Sequence, residues 1–228
     1  KKTTCIFLYI FLCWTIEALP QQHKIHFSQF TIDEGLSQNS INCIIQDKRG
    51  FIWIGTQDGL NRYDGYRFNI YKHDSANPNT VCDNYILAIM EDQSGHIWIG
   101  TEGGVSRYIP EKEKFTHYYH DPSNHKSLMD NHIRYIYESP SDPGIIWIGC
   151  EGGLESFDKK SEEFTHYNHH PDNQNSLSHN HVTFIYESPS QPGKLWIGTE
   201  KGLNRYDKKS QQFKHYFSEA KNPNSLSH

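Results

Sequence analysis

Histidine, arginine and glutamate recur in this chain at spacings that could build a site. Fifteen His are present, and His166, His169, His170, His179 and His181 crowd one stretch. Imidazoles gathered this way are the raw material of a metal centre. His117, His166 and His215, however, follow one another at intervals of 49 residues, each within Phe-x-His-Tyr. They therefore fall on equivalent points of successive units and cannot converge on one ion. His132 and His181 instead open apolar runs, and Arg134 puts a charge inside the run from Ile133 to Tyr137. Glu102, Glu151 and Glu200 return at one repeated turn. A guanidinium, two imidazoles and three carboxylates suit charge-assisted binding of a polar ligand. The plainer reading of Arg134 is a solvated side chain paired locally.

Other chemistries lack their residues. Arg62, Arg107 and Arg205 share one repeat position, the mark of a part that stabilises each unit, whereas a sialidase-like centre needs Arg side chains converging with Tyr and Glu. The segment Asp92 to Trp98 approaches the sialidase turn motif, but that motif is structural. The sequence contains no Gly-x-Ser-x-Gly, His-Glu-x-x-His or phosphate loop, the signatures of hydrolases, zinc proteases and nucleotide enzymes. No catalytic residue, metal or cofactor is expected. Net charge is −5 without a long Lys or Arg run, so nucleic acid is not an expected partner. Cys43, Cys82 and Cys150 are odd in number and widely spaced, which implies no disulfide framework.

The units that must position these residues are plain. Trp53, Trp98, Trp147 and Trp196 sit in Ile-Trp-Ile-Gly or Leu-Trp-Ile-Gly blocks, spaced 45, 49 and 49 residues apart. Each block leads into a Gly-Leu-x-Arg-Tyr-Asp-like segment, then an aromatic run, then a loop rich in His, Asp, Asn and Pro. An apolar run entered from Asn39, Asn84, Asn131 or Asn180 begins each unit. Four short strand-like runs in about 45 residues make one propeller blade. The first run lacks alternation because an innermost strand is covered on both faces. The fold expected is all-β, a propeller of four-stranded antiparallel blades. One inner-strand position varies as Asn42, Leu87, Arg134 and Thr183 within the otherwise repeated frame. Variation there is where specificity could reside.

The N-terminus is of another kind. Lys1 and Lys2 precede an apolar run from Cys5 to Ile16, the layout of a secretory signal peptide. An uncleaved anchor is the alternative, but the run is shorter than the roughly 20 residues a membrane span takes. The expected organisation is a signal peptide over 1–20 and a lone outer strand over 21–35 that closes the ring. Blades follow over 36–80, 81–127, 128–176 and 177–225, with the start of a fifth at 226–228. The chain stops inside a repeating pattern, so it is expected to be part of a longer product.

The run Gly35 to Asp64, Gly-Leu-Ser-x-Asn-x-Ile through Ile-Trp-Ile-Gly-Thr to Gly-Leu-x-Arg-Tyr-Asp, resembles the two-component regulator propeller repeat. The likeness extends over four copies. Cys150 in place of Thr, and Glu155-Ser-Phe in place of x-Arg-Tyr, are the departures. The resemblance implies the periplasmic sensor region of a hybrid histidine kinase, with seven-bladed rings ahead of a membrane helix and kinase. It implies sensing of a small ligand such as an oligosaccharide, a homodimeric receptor, and a membrane link outside these residues. A protein-binding scaffold, the sensor of a diguanylate cyclase, and a propeller glycosidase or lyase are the alternatives. Arg134, His132, His181, Glu102, Glu151 and Glu200 are the expected ligand contacts.

Overall fold

The computed structural model describes residues 27–226. The segment 1–20, expected to be a signal peptide, lies outside them. Four sheets follow one another along the chain, each a four-stranded antiparallel meander. The first holds β1 (Ile41–Gln46), β2 (Ile52–Thr56), β3 (Gly59–Tyr63) and β4 (Phe68–Tyr71). The second holds β5 (Ile86–Glu91), β6 (Ile97–Thr101), β7 (Val105–Ile109) and β8 (Lys114–Tyr118). The third holds β9 (Ile133–Glu138), β10 (Ile145–Cys150), β11 (Leu154–Asp158) and β12 (Glu163–Tyr167). The fourth holds β13 (Val182–Glu187), β14 (Lys194–Thr199), β15 (Gly202–Asp207) and β16 (Gln212–Tyr216). The fold is all-β, and the sheets are propeller blades whose inner strands β1, β5, β9 and β13 touch in succession.

Residues 27–31 form no strand, and Ile32–Glu34 is a single 3-10 turn capped by Thr31. A strand exists only where a neighbour completes its ladder, and Phe30 instead packs on Tyr63 and Phe68 with ring centroids 5.2 and 5.7 Å away.

The apolar core lies between blades. Blades 1 and 2 enclose Trp53, Leu60, Ile86 and Ile97; blades 2 and 3 enclose Trp98, Ile133, Ile148 and Phe157; blades 3 and 4 enclose Trp147, Leu154, Val182 and Tyr206. Each Trp reaches an aromatic of the next blade: Trp53 to Tyr108 at 5.6 Å, Trp98 to Phe157 at 5.4 Å and Trp147 to Tyr206 at 5.8 Å between centroids. Trp196 has the same sequence context but is only half-buried. Its ring partner is Tyr216 of its own blade, and no following blade covers it among the described residues.

Turn chemistry sets the first connection. Asp47 accepts the Arg49 and Phe51 backbone N–H groups at 3.0 and 2.9 Å and the Trp53 indole N–H at 2.8 Å. Asp92 repeats the indole bond to Trp98 at 3.0 Å. Blades 3 and 4 have Ser139 and Ser188 there, with two extra residues in the turn, and the buried Trp147 Nε1 has no hydrogen-bond partner. Lys159 instead spans the interface, its Nζ 2.7 Å from Glu138 and 3.2 Å from Asp92 of the preceding blade. Burial works against that charge, yet the two carboxylates outweigh it and raise the Lys159 pKa.

Candidate functional site

Every inner strand carries a β-bulge near its start. The register slips between Ile41 and Cys43, between Ile86 and Ala88, opposite Gly149 and Cys150, and between Val182 and Phe184. A bulge leaves one residue outside the ladder and re-aims its side chain. The residues left out are Asn42, Leu87, Arg134 and Thr183, and together with Ile41 they line one cavity of about 380 Å³ at the centre of the blades. A groove of about 570 Å³ shares Asn42, Leu87 and Arg134 and follows the inner strands to Tyr137 and Glu91.

The loops leading into these strands are held by side-chain hydrogen bonds. Asn84, Asn131 and Asn180 accept the backbone N–H groups of His73, His120 and His169 at 2.7, 2.8 and 2.6 Å. Side chains two residues back then fix the last residue before each strand: Asp83 accepts the Tyr85 N–H at 2.7 Å and Asp130 the His132 N–H at 2.8 Å. In blade 4, His179 Nδ1 accepts the His181 N–H at 3.3 Å. Asx-type turns of this kind hold a loop without regular structure.

The structure brings most of the sequence-selected residues into two neighbouring groups. Arg134 Nη2 donates to Glu151 Oε1 at 2.7 Å, and His132 Nε2 lies 3.8 Å from the same oxygen, beyond hydrogen-bond reach. Arg134 Nε and His132 Nε2 are buried atoms without a hydrogen-bond partner. His181 Nδ1 stands 3.0 Å from Glu200 Oε1 in the next blade. The Arg134 hydrogen bond lowers the Glu151 pKa, and the nearby His132 and His181 add to that effect. Glu102 is exposed, and its side chain makes no hydrogen bond or ion pair among the described residues. The pairing of Arg134 within its own blade is the local arrangement weighed in the sequence. It still leaves the guanidinium one-third exposed and Glu151 45% exposed, so donors and acceptors alternate at the cavity rim. Such a rim can hydrogen-bond a polyol in both senses.

His117, His166 and His215 sit apart on β8, β12 and β16, where their Nε2 atoms meet the carbonyls of Pro78, Ser127 and Ser176 at 3.0, 2.9 and 2.6 Å. Each fastens a loop between blades. Arg62 and Arg107 lie across from the repeated Trp, with Arg62 4.9 Å from the Phe51 ring centre and 5.7 Å from Trp53, and Arg107 5.5 Å from Trp98. One arrangement escaped sequence reasoning: the buried Glu155 carboxylate against His166, 3.3 Å apart on adjacent strands. Its signal was Glu155 itself, where the other repeats have Asn61, Ser106 and Asn204.

The two-component regulator propeller model matches residues 35–58 and 80–103. Over 76 residues the chain is 40% identical to histidine kinase P4 of Formosa agariphila, a match over 33% of this chain and 5% of that protein. The extracellular domain assigned to the hybrid two-component system BT3049 of B. thetaiotaomicron superposes with a TM-score of 0.74 at 31% identity, over 83% of this chain and 26% of that one. The extracellular domain assigned to the one-component system BT4673 of the same organism shares the fold, with a TM-score of 0.67 at 24% identity over 82% of this chain and 26% of that one. The chain thus spans about a quarter of these solved domains and a twentieth of the kinase. Residues 35–58 and 80–103 are thus two-component regulator propeller repeats, and the blades they begin share the fold of extracellular domains from two-component systems.

Proposed function

We propose that this propeller is the extracytoplasmic ligand-sensing part of a two-component receptor, and that a carbohydrate or other small polar ligand docks over the centre of the blades. The observation carrying this reading is the bulged Arg134 at the cavity rim, paired with Glu151 and flanked by His132. A bulge conserved in all four repeats presents a different side chain from each blade, which is how a repeated frame acquires a specific site. The likeness to extracellular domains of two-component systems supports a sensing role and an exported location. The repeats are read as part of a seven-bladed ring whose further blades complete the rim. Export by a cleaved signal peptide, a kinase output across the inner membrane and a homodimeric receptor belong to the same proposal. His181, Glu200 and Glu102 are its outlying contacts.

Isothermal calorimetry with candidate oligosaccharides on the receptor's complete sensor region tests the site. Arg134→Ala is expected to weaken binding by about tenfold or more, the usual weight of a charge-assisted hydrogen bond. Affinity unchanged by Arg134→Ala, or indifference of every polar ligand to this rim, would remove the site from the centre of the blades.

A further inference from the structure

Four times in this chain a residue on the third strand reaches up to the loop that leads into its own blade. Asn61 Oδ1 accepts the Ser37 N–H at 2.9 Å, and Asn204 Oδ1 the Ser178 N–H at 2.9 Å. Ser106 Oγ accepts the Cys82 N–H at 3.0 Å. In blade 3 the acceptor is Glu155, whose Oε2 takes the Met129 N–H at 2.9 Å. The first three acceptors are neutral; Asn61 and Asn204 hold the loop with no titratable partner, whereas Ser106 Oγ also meets His117 Nδ1 at 3.0 Å. Glu155 alone is an acid, and it is fully buried.

The cross-strand partner of this position is Ile70, His117, His166 or His215 in the four blades. Only in blade 3 does an imidazole face a carboxylate. His166 Nε2 donates to the Ser127 carbonyl at 2.9 Å and lies 3.3 Å from Glu155 Oε2. Both bonds thus end on the lead-in loop, one at Ser127 and one at Met129, three to seven residues before His132 and Arg134. The other group on the carboxylate is the Cys150 thiol from β10, 3.6 Å from Oε1; burial foremost, then the charges of Glu155 and of Asp130 in the loop, raise its pKa and hold it neutral.

The geometry points to a proton-dependent latch: the Glu155–His166 pair fastens the lead-in loop of blade 3, and thereby the placement of His132 and Arg134, when it holds a proton, and loosens it when the proton is lost. A buried carboxylate is tolerated when a cation and hydrogen bonds compensate it. With His166 charged, Glu155 has that cation and the Met129 N–H. With His166 neutral, an uncompensated anion remains in an apolar blade and draws water or moves.

The direction of the pH effect follows from both groups. Glu155 hydrogen bonding raises the His166 pKa, and burial raises that of Glu155 despite His166 and Met129. Groups raised in the fold stabilise it at low pH and cease to do so as pH rises through their folded values. The window therefore opens above the ordinary His value of 6.5. The inference concerns the loop and does not depend on any ligand.

Amide hydrogen exchange on the 228-residue chain tests it, with the Ser178 amide as internal reference on the neutral acceptor Asn204. After correction for intrinsic rates, protection of the Met129 amide is expected to fall about tenfold against Ser178 between about pH 6 and about pH 9, the usual weight of a hydrogen bond to a charged group. Glu155→Asn, which installs the acceptor of blades 1 and 4, should abolish that dependence, while His166→Gln, which leaves the buried acid without its cation, should displace it along the pH scale. Parallel profiles for Met129 and Ser178 in the native chain, or a dependence surviving Glu155→Asn, would overturn the latch. Should the variants fail to fold, NMR titration of the His166 ring decides: a midpoint at or below that of a free imidazole sinks the idea.

Discussion

Trp98 is enclosed by Arg107, by Tyr118 of its own blade and by Phe157 of the next, and its indole N–H ends on the buried Asp92. Removing it empties a large apolar volume and strands a carboxylate that also serves Lys159. Trp98→Ala should therefore cost about 3 to 5 kcal/mol, the range for a buried aromatic. Trp196→Ala should cost clearly less in this chain, because that ring is partly exposed and, among the described residues, has neither an acidic partner nor a following blade. Urea unfolding of the two variants measures the difference, and equal losses would show that the blade interface does not govern the value of the Trp. Which Trp is worth most thus follows from neighbours up to a repeat away.

At the scale of elements, blades stay together because the second strand of one lets the first strand of the next approach closely. A Cβ placed on Gly100 would lie 2.6 Å from Cγ2 and 3.2 Å from the backbone oxygen of Ile133, and the same crowding recurs between Gly149 and Val182. Gly198 has the same sequence context, but its nearest foreign atom is Thr183 Oγ1 at 3.4 Å, within its own blade. Backbone cannot yield as a side-chain tip can, and overpacking costs about 1 to 3 kcal/mol or more. Gly100→Ala is expected to lower the melting temperature by several degrees, of the order that 1 kcal/mol gives in a domain this size, while Gly198→Ala leaves it nearly unchanged. Thermal scans of the two variants give the answer, and a harmless Gly100→Ala would contradict the tight contact. The same elements hold the candidate site, since the bulge that frees Arg134 begins next to Ile133.

Across the whole molecule, the interfaces repeat but the two outer faces have no blade against them among the described residues. Blade 1 exposes Ile41 and Ile44 at 49% and 61%, although their counterparts Ile133 and Ile136 of blade 3 are buried. Blade 4 exposes Phe184 and Tyr186 at 46% and 42%. Repeat architectures draw their stability from neighbour contacts, and open apolar faces seek cover. The 228-residue chain alone is expected to self-associate, with sedimentation velocity showing species that grow with concentration. A monomer with a single cooperative melt would refute this expectation.

The residues by themselves determined the repeat and the four strands per unit, because strand periodicity and turn chemistry are local and recur four times. The same comparison between copies marked position 134 as variable and Glu155 as an exception. Three things were decided only in three dimensions. The variable position proved to be a bulge, which depends on how one strand's ladder meets its neighbour. Trp196 proved only partly buried although its segment reads like the others, because full burial there belongs to the next blade. Glu151 rather than Glu102 joined Arg134, since side chains 17 residues apart in sequence meet at 2.7 Å across one blade, and no spacing rule reports which repeated carboxylate a single guanidinium will reach.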